Sequence, residues 1–247
     1  MIDFTGKTAV VTGAGSGIGL STAEMMIQAG ARVIAVDVSA ERLEEAAGRL
    51  GEAFDPVVAD LTKAEAVDGV MDHSQGLVDI LVNNAGIMDG FVPLAEMEDS
   101  LYELVMAVNL HAPMRLCRAV LPGMLERGHG TIVNVASEAA LRSSISGCAY
   151  TVSKHAVTGL TRHIAVLYGK DGIRCNAVAP GAVQTNVDGE MRSSWAASRL
   201  GPIMAATVPR FAQPHELAAA ICFLADDDAA ANVNGILMPV DGGWSAI

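Results

Sequence analysis

A serine, a tyrosine and a lysine in the middle of the chain have the types and spacing of a proton-transfer site. Ser137 follows an apolar run at residues 131–136, Tyr150 comes 13 positions later, and Lys154 stands 4 beyond that. If Tyr150 opens a helix, Lys154 lies one turn on along the same face. A free phenol ionises near about 10, and a fixed positive charge beside it stabilises the phenolate and lowers that value. A general acid or base working near neutral pH needs such tuning. Ser137 is placed to hydrogen-bond the oxygen that gains or loses the proton. Tyr-x-x-x-Lys alone also occurs on ordinary helix faces, so its weight depends on the rest of the chain.

The elements that must hold this trio follow an alternating pattern. Residues 7–12 form a short β-branched run that reads as a buried parallel strand. Thr12-Gly13-Ala14-Gly15-Ser16-Gly17-Ile18-Gly19 comes next, then a helical stretch to residue 29 and Gly30 as its stop. Strand, glycine loop and helix stand in the order that a phosphate site needs. Glycines let backbone approach a pyrophosphate, and the helix start offers free N–H groups and a positive dipole end. The spacing is Gly-x-x-x-Gly-x-Gly rather than Gly-x-Gly-x-x-Gly, and a glycine turn with no ligand is the alternative.

Residues 32–37 read as the second strand, ended by Asp37, 18 positions after Gly19. A carboxylate about 20 residues past the glycine loop accepts the adenosine ribose hydroxyls in dinucleotide folds and repels a 2′-phosphate. Neither Val38 nor Ser39 supplies a cation, so the pattern predicts NAD rather than NADP. Ser39 is the better candidate to cap the helix at residues 40–50. A third strand is expected at 56–59, ahead of Asp60-Leu61. Thr62 and Glu65 have the spacing of a capping box for the next helix. The fourth strand, 78–82, runs into Asn83-Asn84-Ala85-Gly86, at a strand's carboxyl end, where open α/β sheets bind ligands; a plain turn would use the same residues.

Residues 100–127 form a long helical pattern with Asn109 inside and Pro113 four residues on, where the missing N–H frees the Asn109 carbonyl. The fifth strand is 131–136, the tyrosine helix about 149–168, the sixth strand 174–179, a further helix 213–225 and the seventh strand 235–240. Between 181 and 212 the pattern is irregular and reads as a lid, carrying Met191, Trp195, Met204 and Phe211.

Composition sets the outer bounds. The chain has 247 residues, 51 % of them hydrophobic and 4 % aromatic, with a net charge of −12. This fits one α/β domain spanning residues 1–247 and disfavours nucleic acid or an anionic membrane, either of which calls for a basic patch. Cys117, Cys148, Cys175 and Cys222 are scattered, with no metal spacing, and read as reduced thiols of a cytoplasmic protein. No leader pattern opens the chain, and no apolar run has the length of a membrane span.

Taken together, the Thr-Gly-x-x-x-Gly-x-Gly loop, Asn83-Asn84-Ala85-Gly86, Asn109, Ser137, Tyr150-x-x-x-Lys154 and Pro180-Gly181 resemble the classical short-chain dehydrogenases/reductases over essentially the whole chain. The resemblance implies a Rossmann-type doubly wound fold with a seven-stranded parallel sheet and helices on both faces. It implies a catalytic set of Asn109, Ser137, Tyr150 and Lys154, in which Tyr150 is the acid/base, Lys154 lowers its pKa and holds the nicotinamide ribose, and Asn109 supports a water relay. Ser16, Gly17, Ile18 and Gly19, with Gly13, would cradle the pyrophosphate. Asp37 and Val38 would meet the adenosine ribose, Asp60 and Leu61 the adenine, and Asn84, Ala85 and Gly86 the adenosine side of the cleft. Pro180, Gly181, Val183 and Thr185 would cover the nicotinamide. A homotetramer or homodimer is implied, packed through the helices around Asn109 and Tyr150.

The function expected is hydride transfer between NAD and a small-molecule secondary alcohol or ketone. The residues also resemble 3-oxoacyl carrier-protein reductases, which use NADPH; Asp37 departs from that preference. An epimerase or dehydratase of the same family, or a cofactor-bound sensor that lacks catalysis, would share the fold, since fold alone does not fix function. The substrate pocket is expected from residues 87–92, 138–145 and 181–187 with Met191 and Trp195. Glu138 is expected to face solvent or cap a loop, with contact to a polar substrate as the alternative, and Arg142 and Arg192 to be solvated, with contact to an anion as theirs.

Overall fold

The computed structural model describes residues 2–142, 145–185 and 189–246. Seven strands form one parallel sheet: β1 (Thr8–Thr12), β2 (Arg32–Asp37), β3 (Phe54–Val58), β4 (Ile80–Asn83), β5 (Gly130–Val135), β6 (Ile173–Pro180) and β7 (Leu237–Val240), in the order 3-2-1-4-5-6-7. The order reverses between β1 and β4, which opens a crevice at the carboxyl ends of the strands. The helices are α1 (Gly17–Gln28), α2 (Ala40–Leu50), α3 (Glu65–His73), α4 (Asp99–Met106), α5 (Ala112–Arg127), α6 (Cys148–Tyr168), α7 (Ser194–Thr207) and α8 (Pro214–Ala225).

Strand alternation sorts these helices onto two faces, because successive side chains point to opposite sides of a sheet. Ala9, Val11, Val33, Ala35, Ile80 and Val82 pack against α1, α2 and α8. Val10, Ile34, Val36 and Leu81 pack against α3, α5 and α6. Both faces are covered, so the central strands read as continuous apolar runs. Pro56 sits in β3, an edge strand, where a missing N–H is tolerated.

The expected strand and helix positions hold, with ends shifted by a few residues, and four local readings are corrected. Thr62 does not form a capping box: α3 starts at Glu65 with Ala64 as its N-cap, and the Thr62 hydroxyl donates to Asp60 Oδ1 at 2.7 Å instead. The long pattern from residue 100 is not one interrupted α-helix. It is α4, a π-helical turn at Ala107–His111, and α5 with Pro113 in its first turn. By length and composition Asp99–Arg127 passes for a membrane span, contrary to the apolar-run reading; here it packs against α3, α6 and β5. The lid segment is also more regular than expected, since it holds α7. Ser193 caps this helix by accepting the Ala196 N–H at 3.1 Å, while Gly201 and Pro202 inside it obscure the helical pattern. The ends of the segment are pinned together by a parallel bridge between Val183 and Ala212.

Candidate active site

A cleft of about 1790 Å³ runs along the carboxyl ends of the strands. That exceeds the ~300–1000 Å³ of an ordinary small-molecule pocket and leaves room for a dinucleotide and a second molecule together.

One half of the cleft is built by the glycine loop. The packing inside this loop explains its glycines. A Cβ on Gly19 would overlap the Gly13 carbonyl, and Gly13 and Gly17 have φ of +65° and +54°, which favour glycine. Asn84 braces the loop from β4: its Nδ2 donates to the Thr12 carbonyl at 2.9 Å, while the Thr12 hydroxyl accepts the N–H groups of Asn84 and Ala85, both at 3.0 Å. Helix α1 begins at the cleft with no side-chain cap on Ser16 and no acidic residue in its first turn. Those N–H groups and the dipole are thus left to an anion, which fits a pyrophosphate.

Asp37 ends β2 in the same cleft and is 7 % exposed. Its Oδ2 accepts the Gly15 N–H at 3.0 Å; its Oδ1 accepts the Ser39 N–H at 3.0 Å and Arg42 Nη2 at 2.8 Å. Ser39 caps α2, as expected, by accepting the Arg42 N–H. Arg42 is the residue that the sequence reading missed: it lies one helical turn past the strand end and lines the cleft beside Asp37. Val38, Asp60, Leu61, Ala85, Gly86, Pro180, Gly181, Val183 and Thr185 line the cleft, whereas Gly19 is buried within the loop.

The other half holds the proton-transfer trio. Ser137 follows β5, and Tyr150 and Lys154 stand on α6. The Ser137 hydroxyl lies beside the phenol and accepts the Ala139 N–H at 3.1 Å. Lys154 Nζ lies 5.5 Å from the tyrosine ring centre and donates to the Val135 carbonyl at 2.8 Å. Burial pushes the Lys154 ammonium down to about 8. Burial also pushes the Tyr150 phenol above its ordinary value; the Ser137 hydroxyl draws it down, and the nearby charge of Asp89 pushes it further up. The lowering expected from Lys154 is not found: the phenol is raised. Gly86 leaves the space where Lys154 Nζ and Asn109 Oδ1 converge, 3.3 and 3.4 Å from where a Cβ would stand.

Asn109 does not reach the cleft. It is 1 % exposed, its Oδ1 accepts the Ile87 N–H at 2.9 Å, and its Nδ2 donates to the Ile87 carbonyl at 2.9 Å and to Ser153 Oγ at 3.2 Å. Its side chain ties the loop after β4 to α6.

The remaining walls correct several substrate-side expectations. Trp195 is 52 % exposed and stacks under Arg199, 3.8 Å from its ring centre, outside the cleft; Met191 does not line the cleft either. Their place is taken by Met204, Phe211 and Trp244. Trp244, just past a Gly-Gly pair near the carboxyl end, carried no periodic signal. Glu138 is buried rather than solvent-facing, and it pairs with Arg142, which also donates to the Trp244 carbonyl. Arg192 packs over Gly90, and its backbone N–H donates to the Gly90 carbonyl. Ser143, Ser144, Asn186 and Val187, also expected in the pocket, lie outside the described residues.

The comparisons agree with this geometry. The short chain dehydrogenase family model matches residues 7–195. A 3beta-hydroxysteroid dehydrogenase 2 of Eggerthella lenta is 42 % identical, over 98 % of this chain and 96 % of that protein. The solved structure of a Beutenbergia cavernae protein assigned as an NAD(P)-dependent gluconate 5-dehydrogenase, with NADP bound at low occupancy, superposes with a TM-score of 0.87 at 37 % identity, covering 100 % of this chain and 99 % of that one. A 3-ketoacyl-(acyl-carrier-protein) reductase of Brucella melitensis, complexed with NADH, gives 0.88 at 31 % identity, covering 98 % and 100 %. A doubly wound sheet, a glycine-loop cleft and a Ser–Tyr–Lys cluster at its inner end, matched along nearly the full chain, make this protein a member of the short-chain dehydrogenase family of oxidoreductases.

Proposed function

We propose that the protein transfers a hydride between NAD(H) and an apolar secondary alcohol or ketone, with Tyr150 as general acid and base. The observation that carries this reading is the meeting of Ser137, Tyr150 and Lys154 in the same cleft as the uncapped start of α1 and the buried Asp37. When bound, the nicotinamide supplies the hydride-accepting or hydride-donating carbon; the chain supplies orientation and the proton path. The Ser137 hydroxyl holds the substrate oxygen. The Tyr150 phenol gives its proton to a carbonyl oxygen in reduction and takes one from the alcohol in oxidation. Because burial raises the phenol, it is protonated across the neutral range and ready to donate. Lys154, fixed by Val135, stands beside it as the positive charge that supports the phenolate.

NAD is favoured because the Asp37 side chain faces the cleft and Arg42, its nearest cation, is bound to it. The second reading is an NADPH-dependent reductase; Arg42 in the cleft, together with the NADP bound to the Beutenbergia relative, is what favours it. The substrate side is walled by Phe91, Leu101, Ile145, Met204, Phe211 and Trp244, and its buried carboxylate is neutralised by Arg142. An uncharged, bulky substrate suits such walls, and alicyclic alcohols of the kind named for the Eggerthella relative are the first to try. The protein works in the cytoplasm as a homotetramer or homodimer, through the α5–α6 face, where Met114, Val152, Val166 and Leu167 are exposed.

Initial rates with NAD and NADP on a panel of secondary alcohols test the reading. NAD is expected to have the higher kcat/KM, and Asp37→Ser to shrink the ratio. A higher kcat/KM with NADP would reverse the cofactor assignment, and full turnover by Tyr150→Phe would remove the acid/base role.

A further inference from the structure

Helix α6 carries both Tyr150 and Lys154, yet its own N-cap is Gly147, which has no side chain to satisfy the first free N–H groups. Those groups are satisfied from elsewhere. The Cys148 N–H donates to the Val92 carbonyl at 3.0 Å, and the Tyr150 N–H donates to Asp89 Oδ2 at 2.9 Å. Asp89 is 0 % exposed, and its Oδ1 accepts the Phe91 N–H at 3.1 Å. A Cβ at residue 147 would overlap the Asp89 carboxylate, so the missing local cap and the remote one require each other.

The loop is shaped for this task. Gly90 and Phe91 both have positive φ, +67° and +58°, and this backbone is costly for phenylalanine. The double turn folds the loop back under α6. Asn109 fixes its start at Ile87. Among the described residues, the charged groups on the elements around Tyr150 include Lys154 one turn along α6, Asp89 below from the loop, Glu138 beyond Ser137, already paired with Arg142, and Arg192, packed over Gly90 on the cleft wall.

We propose that Asp89 is the positioning residue of the catalytic helix: it anchors the Tyr150 backbone from across the loop after β4 and sets a buried negative charge at the foot of the phenol. This deepens, and rests on, the acid/base reading of Tyr150. The two tasks demand an aspartate. A carboxylate accepts from two N–H groups with two oxygens, whereas asparagine has one acceptor oxygen and no charge. A negative charge also suits a helix start. Its repulsion of a phenolate keeps Tyr150 protonated, in the sense already noted for this phenol.

The test reads the tyrosine directly. The chain has 3 tyrosines, so protein labelled with ¹³Cζ-tyrosine gives few enough resonances to assign with Tyr150→Phe. Asp89→Asn, and as a second neutral variant Asp89→Ser, are expected to lower the Tyr150 titration midpoint, leaving Tyr102 and Tyr168 unmoved. An unmoved Tyr150 midpoint in a folded variant, or an equal shift of all three, would overturn the proposal. Failure of both variants to fold would also overturn it, by assigning Asp89 to the fold alone. Turnover retained by Tyr150→Phe would instead remove the acid/base reading, while the titration would still report on the Asp89 contact.

Discussion

Replacing Asn109 by alanine asks whether this residue serves chemistry or architecture. Three hydrogen bonds are lost: two to the Ile87 backbone and one to Ser153 Oγ. Each is a bond between neutral groups with a net worth of about 1 kcal/mol, and partners left unpaired at a site so buried add to that loss. The sum is roughly 3 kcal/mol. For a chain of this size, 1 kcal/mol moves the midpoint by roughly 2–4 °C, so Asn109→Ala should melt roughly 6–12 °C lower. Urea unfolding at constant slope, followed by far-UV circular dichroism, measures the free energy, and calorimetry measures the midpoint. Ser153 also donates to the Tyr150 carbonyl at 2.8 Å, so the loosened helix should lose turnover in parallel. A variant that keeps its full stability while losing turnover would refute the architectural account and return Asn109 to the reaction path.

Two further outcomes follow from the same geometry. Trp195→Ala should change KM for an apolar alcohol by less than about twofold, whereas Trp244→Ala should raise it roughly tenfold, as expected when one aromatic side chain is removed from an apolar wall; steady-state kinetics on the two variants checks this, and equal effects would contradict the wall assignment. Lys154 gives a pH signature. Its folded value of about 8 lies below the ordinary 10.5, so between those values the unfolded chain binds more protons and rising pH favours the fold. Wild type should gain stability relative to Lys154→Met across that window in urea titrations; parallel pH profiles would mean that the amine is not desolvated.

The fold was legible because its strands are buried on both faces. Runs such as residues 32–37 and 131–136 are continuous and β-branched, and each is closed by a polar residue at the cleft. Ser137, Tyr150, Lys154, the glycine loop and Asp37 were legible because their work depends on local spacing. What escaped depends on distant packing. Arg42 matters only because α2 returns its first turn to the strand end. Asp89 reads as a loop aspartate until Gly147, 58 positions on, is seen to need it. Trp195 was expected in the pocket and stands outside it because exposure within 181–212 is decided by how α7 docks, while Trp244 reaches the wall from the far end of the chain. Pro113 marked a disturbance in the long helix, but its form, a wider turn, is set by where Asn109 must reach.

That wider turn has a consequence for how such a site arises and is lost. A π-helical turn is, in length, an α-helix with a residue inserted. Deleting one codon between residues 107 and 111 would restore the regular helix with α5 at nearly its present angle to α4, because the wide turn spreads the extra residue over about the same arc as a regular turn. The exposed face carrying Met114 would keep its direction, while the widened turn that carries Asn109 to Ile87 would be lost. The internal brace of the loop after β4 and the outer face of α5 are therefore separable: a change in length here removes the first and spares the second.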